Sequence, residues 1–221
     1  MTWGRKACCI LAPAMLALAV SSPASAASPV PNRDQTWGSV SSATVATAGL
    51  LQLVMPRIFY SDPESTVGWK ARWHVSQLAP VMTLTVAALA SNYLLKDALK
   101  DPRPGCDSTN QPGINCNTYG MPSTHALAAF SALGNGAGVW LFDMTKWSGG
   151  RFNGASFTGD VLLPAILAGV TDIGRLSGNW ETTSQVLVGS AAGLVLGFAT
   201  GTVYALLQRP ECGYTGNLIC W

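Results

Sequence analysis

Three cations, a hydroxyl and a histidine stand at spacings that suit a site for a tetrahedral oxyanion. Lys96 and Arg103 lie seven positions apart, and Pro104 follows directly. Pro122, Ser123, Thr124 and His125 form a second group, and Arg175 opens a third that continues to Glu181 and Gln185. A phosphate spreads its charge over several oxygens, and fixed cations stabilise that charge. Arginine can grip two oxygens at once, whereas lysine acts as a point charge. Ser123 stands before an apolar run as a helix N-cap does, and the N–H groups of a helix start favour anions. Taken singly, each residue has an ordinary structural reading. A cation near a helix end complements the helix dipole, and a lone histidine is more often a packing residue than a reacting one. Their order along the chain favours one shared site. The other histidine, His74, falls outside the three groups, and Lys100 and Asp101 read as surface charges.

This spacing resembles the type 2 phosphatidic acid phosphatase (PAP2) superfamily, which also holds bacterial acid phosphatases and vanadium haloperoxidases. The family pattern is Lys, six residues, Arg-Pro; then Pro-Ser-Gly-His; then Arg, five residues, His, three residues, Asp. Lys96, Arg103, Pro104, Pro122, Ser123, His125 and Arg175 match it. Thr124 stands at the glycine, Glu181 at the second histidine and Gln185 at the aspartate, while Val186-Leu187-Val188-Gly189 resembles the usual continuation. The resemblance implies an all-α bundle with no metal or other cofactor. It implies that Lys96, Arg103, Ser123, Thr124 and Arg175 hold phosphate, and that His125 is the general acid. The family's attacking histidine is replaced by Glu181. A carboxylate at a helix start stays ionised, and at about 4 Å it repels a second unit charge by several kcal/mol at an effective dielectric near 20. Three readings of Glu181 stay open: a nucleophile forming an acyl phosphate, a base acting on water, or a natural or introduced replacement that disables the step. Gln185 can still orient a neighbour by accepting a hydrogen bond. Haloperoxidase activity is disfavoured, because vanadate needs the missing histidine.

Composition narrows the setting. Charged residues make up 11% of the 221, against about 25% in an average soluble protein, which points to a membrane or a very apolar helical core. Arg5 and Lys6, the apolar run Cys8 to Val20 and Ala24-Ser25-Ala26 read as an export signal over residues 1–26, with a retained anchor as the alternative. The 13 Lys and Arg exceed the 11 Asp and Glu by the two cations of that signal. The balanced remainder suggests no nucleic-acid partner. Cys106 with Cys116 and Cys212 with Cys220 form two close pairs in an exported chain, which reads as two disulfides rather than a metal site.

The elements that must position the site are five helices after the signal, in a single bundle of about five to six over residues 27–221. The apolar runs are Trp37 to Tyr60, Val75 to Lys96, Ser123 to about Asp143, Val161 to Gly174 and Thr182 to Leu207. No strand alternation of useful length is visible, and Ser61 to Trp73 and Thr145 to Gly159 read as links. Only two of the runs have convincing membrane-spanning length. Gly189, Gly193, Gly197 and Gly201 recur every fourth residue on one helix face. Such a stripe implies a close helix contact, in lipid or in a soluble bundle. An up-down bundle gathers the site residues at one end and Arg57, Lys70, Arg72, Lys146, Arg151 and Arg209 at the other. In a bacterial inner membrane that is a positive-inside pattern with a periplasmic site. It also puts Cys212 and Cys220 in the cytoplasm, where a disulfide is disfavoured; a soluble periplasmic bundle removes this conflict. The functional readings are a phosphatase acting on a lipid phosphate or small phosphorylated substrate, a silent phosphate- or head-group-binding relative, and a structural membrane bundle with a residual motif.

Overall fold

The computed structural model describes residues 33–54, 57–60, 69–72, 78–106, 116, 118–147 and 149–207. The expected export signal, His74 and the expected Cys212–Cys220 pairing lie outside these residues. Helix α1 spans Gln35–Val54. Asp34 caps it, its Oδ1 accepting from the backbone N–H groups of Thr36 (2.8 Å) and Trp37 (3.3 Å). A two-stranded antiparallel hairpin follows, β1 (Arg57–Tyr60) against β2 (Trp69–Arg72), in the register Arg57 opposite Arg72. The sequence reading has an apolar run to Tyr60, bent or ended at Pro56, and then a polar link with no strand, so the hairpin is a correction. Strands of four residues are too short for alternation to declare itself.

Helix α2 spans Leu78–Leu99. Pro80 sits in its first turn, where the missing N–H has no intrahelical partner to lose. A π-helical turn at Ser91–Leu95 absorbs one extra residue before Lys96. The helix stops where Lys100 turns left-handed (φ 49°) ahead of Asp101 and Pro102. Helix α3 spans Thr124–Phe142, with Ser123 as its cap; the Ser123 Oγ accepts from the Ala126 N–H at 3.2 Å. Helix α4 spans Gly154–Ser177, longer than expected at its start. Asn153 caps it through bonds from Ala155 and Ser156 N–H, so the last part of the stretch that reads as a connector, from Gly154, is helical instead. Helix α5 spans Thr183–Leu207.

The central element is α3, which packs against the other four helices. Its buried face is built mostly of Ala, Gly and Ser. The glycine stripe of α5 lies directly on it. A Cβ at Gly189, Gly193, Gly197 or Gly201 would come within 2.6, 2.3, 2.1 or 2.1 Å of the carbonyl oxygens of Ser123, Leu127, Ser131 and Asn135 respectively. The two helices therefore run parallel, backbone on backbone, in a constant register. From the other side Gly134 and Gly138 meet the α5 backbone in the same way.

The bulky apolar side chains point outward. Leu78, Met82, Val86 and Leu89 on α2 and Leu187, Val195, Val203 and Leu206 on α5 are exposed, while the core is mostly alanine. Small residues inside and large apolar ones outside is the distribution of a bundle surrounded by lipid. Among the described residues three helices, α2, α4 and α5, are long and apolar enough to cross a membrane, one more than the sequence suggests, because α4 starts earlier. The all-α bundle expected from the sequence is otherwise present.

The stripe gives a paired test. Gly197→Ala places a methyl group against the Ser131 carbonyl and should destabilise the chain by about 1–3 kcal/mol, the usual cost of overpacking. Gly169 in α4 has nothing within 4 Å of the equivalent position, so Gly169→Ala should be neutral or stabilise by up to about 1 kcal/mol. Thermal unfolding of the detergent-solubilised protein followed by circular dichroism distinguishes the two.

Candidate functional site

Four helix ends meet where α3 and α5 begin and α2 and α4 finish. Backbone bonds tie them together. The Ser123 N–H donates to the Gln185 carbonyl (3.0 Å), and the Gly120 N–H to the Asp101 carbonyl (2.8 Å). Gln185 is fully buried and serves as a clamp, its Nε2 donating to Asp101 Oδ2 (2.6 Å) and the Pro102 carbonyl (2.8 Å), its Oε1 accepting from the Thr182 N–H (3.0 Å). Gly120 leaves room for this amide; a Cβ there would lie 2.3 Å from it.

At the centre of this end sits the Glu181 carboxylate, with no exposed side-chain surface. Oε2 accepts from Arg175 Nε (3.0 Å) and from the Ser123 hydroxyl, and Oε1 accepts from Arg103 Nη1 (3.4 Å). Arg103 also donates to the carbonyls of Thr118 and Trp180. Burial alone pushes the Glu181 carboxyl upward, but the charges of Arg175 and Arg103 and the bonds from Arg175 and Ser123 outweigh it and hold it below the usual carboxylate range.

Above this ion triad opens a cavity of about 650 Å³, whose wall includes Arg33, Arg103, His125, Arg175 and Trp180. Glu181 is not part of that wall. It binds the two guanidiniums from beneath, through Arg175 Nε and Arg103 Nη1, so the terminal amino groups of Arg175 make no hydrogen bond within the described protein. His125 lies in the wall, its Nε2 3.1 Å from Ser42 Oγ. A family model described as the PAP2 superfamily matches residues 77–209, more than half of the chain. The chain belongs to the PAP2 superfamily. Among solved structures it is similar to "the first transmembrane PAP2 type phosphatidylglycerolphosphate phosphatase from Bacillus subtilis", at 15% identity and a TM-score of 0.49, over 89% of this chain and 87% of that one. No curated protein matches it.

The PAP2 pattern is thus spatially assembled, but its residues are divided in role. Arg103, Ser123 and Arg175 each bond to Glu181, and Arg103, His125 and Arg175 share the cavity. Lys96 is 4% exposed and close enough to feel the charges of Arg103, Glu181 and Arg175. Two expected site residues are turned to structural tasks. Thr124 Oγ1 donates to Asn92 Oδ1 (2.8 Å) and lies 2.9 Å from Ser91 Oγ, towards α2. Gln185 orients the Asp101–Pro102 turn and makes no bond to Glu181. Arg33, Ser42 and Trp180 are additions the sequence reading misses. Arg33 and Ser42 carry no spacing signal relative to the motifs; Trp180, adjoining Glu181, could have been noticed as a large aromatic inside the third block.

The triad predicts a pH dependence. Because the Glu181 pKa is depressed in the fold, its stabilisation is present above the unfolded value near 4.5 and disappears as pH falls through the folded value. Glu181→Gln strands two buried cations and should lower stability by about 3–5 kcal/mol at neutral pH. Unfolding midpoints of the two proteins, measured from neutral to acid pH, should converge only as the pH falls through the depressed folded value, below which Glu181 is protonated in both folded and unfolded wild-type chains.

Proposed function

We propose that this PAP2 protein binds the phosphate of a membrane lipid in the cavity at its helix mouths. One observation supports this most: Arg103, His125 and Arg175, widely separated in sequence, line a single cavity, and the terminal amino groups of Arg175 make no hydrogen bond within the described protein. The fork of Arg175 suits two phosphate oxygens. Lys96, buried nearby, adds positive potential without direct contact. The apolar outer surface of the helices beside the cavity favours a lipid over a soluble ester, since only the head group then has to leave the bilayer surface. The distribution of basic residues supports an orientation with the cavity outside, in the periplasm of a bacterium. Arg57, Lys70, Arg72, Lys146 and Arg151 fall at the opposite end of the bundle.

Binding without turnover is the reading we put first. Glu181 occupies the position of the family's nucleophile, yet both its oxygens are engaged, it is ionised, and it is absent from the cavity wall. A carboxylate so placed anchors arginines rather than attacking phosphorus. Hydrolysis is the second reading, and His125 in the wall favours it, as a proton donor to the ester oxygen with water as the attacking group.

Tungstate binding measures the cation site directly. The purified chain should bind it, and Arg175→Gln should weaken binding by about tenfold or more, since a fork to an oxyanion is worth roughly 1.5–3 kcal/mol. Unchanged binding in that variant sinks the phosphate-site reading. Phosphate release from phosphatidic acid, an isoprenyl diphosphate and an aryl phosphate is then compared between the chain and Glu181→His. Release confined to the histidine variant supports the silent reading. Release by the chain itself that disappears in His125→Ala replaces it with the hydrolytic one. Carbonate washing should leave the protein in the membrane fraction and detergent should release it.

A further inference from the structure

Helix α1 lies outside the residues 77–209 that the PAP2 family model matches, yet it supplies one side of the cavity. Gln35, Gly38, Ser39 and Ser42 all belong to that wall, at the three- and four-residue spacing of a single helix face. The helix is fixed where it stands. The Asp34 N–H donates to the Gly178 carbonyl (3.2 Å), and the Trp180 indole N–H donates to the Asp34 carbonyl (2.9 Å). Gly174 of α4 lets the α1 backbone come close; a Cβ there would lie 3.2 Å from the Trp37 carbonyl oxygen and from the Ser41 Cβ. Thr44 Oγ1 and Thr171 Oγ1 meet at 2.7 Å. Packing on α4 thus sets where Ser42 stands relative to the start of α3.

There the Ser42 hydroxyl oxygen lies 3.1 Å from His125 Nε2. Among the described residues no other hydrogen bond reaches the ring. Burial first, then the charge of Arg175, with Lys96 and Arg103 behind it, push the His125 imidazole down to about 4 against the opposing pull of Glu181. At neutral pH the ring is uncharged and carries one N–H, on either nitrogen. On Nδ1 that N–H would find no acceptor in the described protein, whereas on Nε2 it finds the Ser42 oxygen, and an unpaired buried donor is costly. Ser42 has one hydroxyl hydrogen of its own, and the Gly38 carbonyl one turn back, at 3.0 Å, accepts it. With Nε2 protonated, both donors are satisfied.

We propose that Ser42 is a positioning residue for His125: its oxygen accepts the Nε2–H and so fixes the neutral ring with Nε2 protonated and Nδ1 bare. The purpose of this pair rests on the phosphate-site reading above. An oxyanion entering the cavity takes over the same N–H, so His125 offers a donor that needs no prior protonation. Ser42 acts through the ring and makes no contact with the anion.

The tautomer is read without any anion. The chain has two histidines, so the full chain with His74→Gln, labelled with ¹⁵N-histidine and held in detergent, reports on the His125 ring alone. Its nitrogen resonances at neutral pH should show a protonated Nε2 and a bare Nδ1. Ser42→Ala should turn this into a mixture of both tautomers, and Ser42→Thr should preserve it. A ring protonated at Nδ1 in the parent, or a spectrum that Ser42→Ala leaves unchanged, overturns the proposal. Tungstate affinity then shows whether Ser42 works through His125. Ser42→Ala should weaken binding about three- to tenfold, the worth of one hydrogen bond, and Ser42→Thr should restore it. In a chain already carrying His125→Ala, the same substitution should change binding by less than about twofold. An equal loss in both backgrounds makes Ser42 a direct anion ligand and overturns the positioning role, as does no loss in either. A parent chain that binds no tungstate removes the phosphate site, and the Ser42–His125 pair is then decided by the nitrogen resonances.

Discussion

The parallel contact between α3 and α5 is the constraint on which the molecule turns. Four glycines of α5 let its backbone rest on the carbonyls of Ser123, Leu127, Ser131 and Asn135. Each glycine costs its helix roughly 1 kcal/mol relative to alanine, so four in register are tolerated only because the close approach returns dispersion and packing energy along the whole interface. The first rung of that ladder, Gly189 on Ser123, is also the floor of the site. Setting this register sets where the cap of α3 and the turn before α5 meet.

From that meeting point the electrostatics follow. Ser123 is at once the N-cap of α3 and a donor to Glu181. Glu181 in turn holds Arg103 from the end of α2 and Arg175 from the end of α4. A buried carboxylate bonded by two arginines and a hydroxyl is a tightly coupled cluster, because removing the carboxylate strands two buried cations at low dielectric. The repulsion expected between Glu181 and a phosphate is reduced by this arrangement. The carboxylate is bonded to both guanidiniums and is not part of the cavity wall, whereas Arg103 and Arg175 are.

The outer surface answers a different solvent. With alanine and glycine filling the core, leucine, valine and phenylalanine are left for the exterior of α2, α4 and α5. In water such stripes would drive association; against acyl chains they cost nothing. The polar cavity thus opens at one end of an apolar cylinder, which is where a head group and its chain part company.

Local rules account for much of this without coordinates. Apolar run length with few charges indicated the helices, Ser123 read as a cap from its place before an apolar run, the four-residue glycine period announced a tight helix contact, and Cys106 with Cys116 announced a disulfide, which is formed. The motif spacing alone nominated Lys96, Arg103, Ser123, His125 and Arg175. What it could not say is which of them would share surfaces, since that depends on rotation of four separate helices about their axes. The early start of α4 hinged on an asparagine cap in a glycine-rich stretch, and the hairpin on pairing between segments with no local signature. The fate of Glu181, the diversion of Thr124 and Gln185 into scaffolding, and the arrival of Arg33 beside Arg175 were decided only in three dimensions. Residue types and periods are properties of short stretches and survive in the sequence, whereas the partner of a buried charge is chosen by whatever distant segment the packing brings within a hydrogen bond of it.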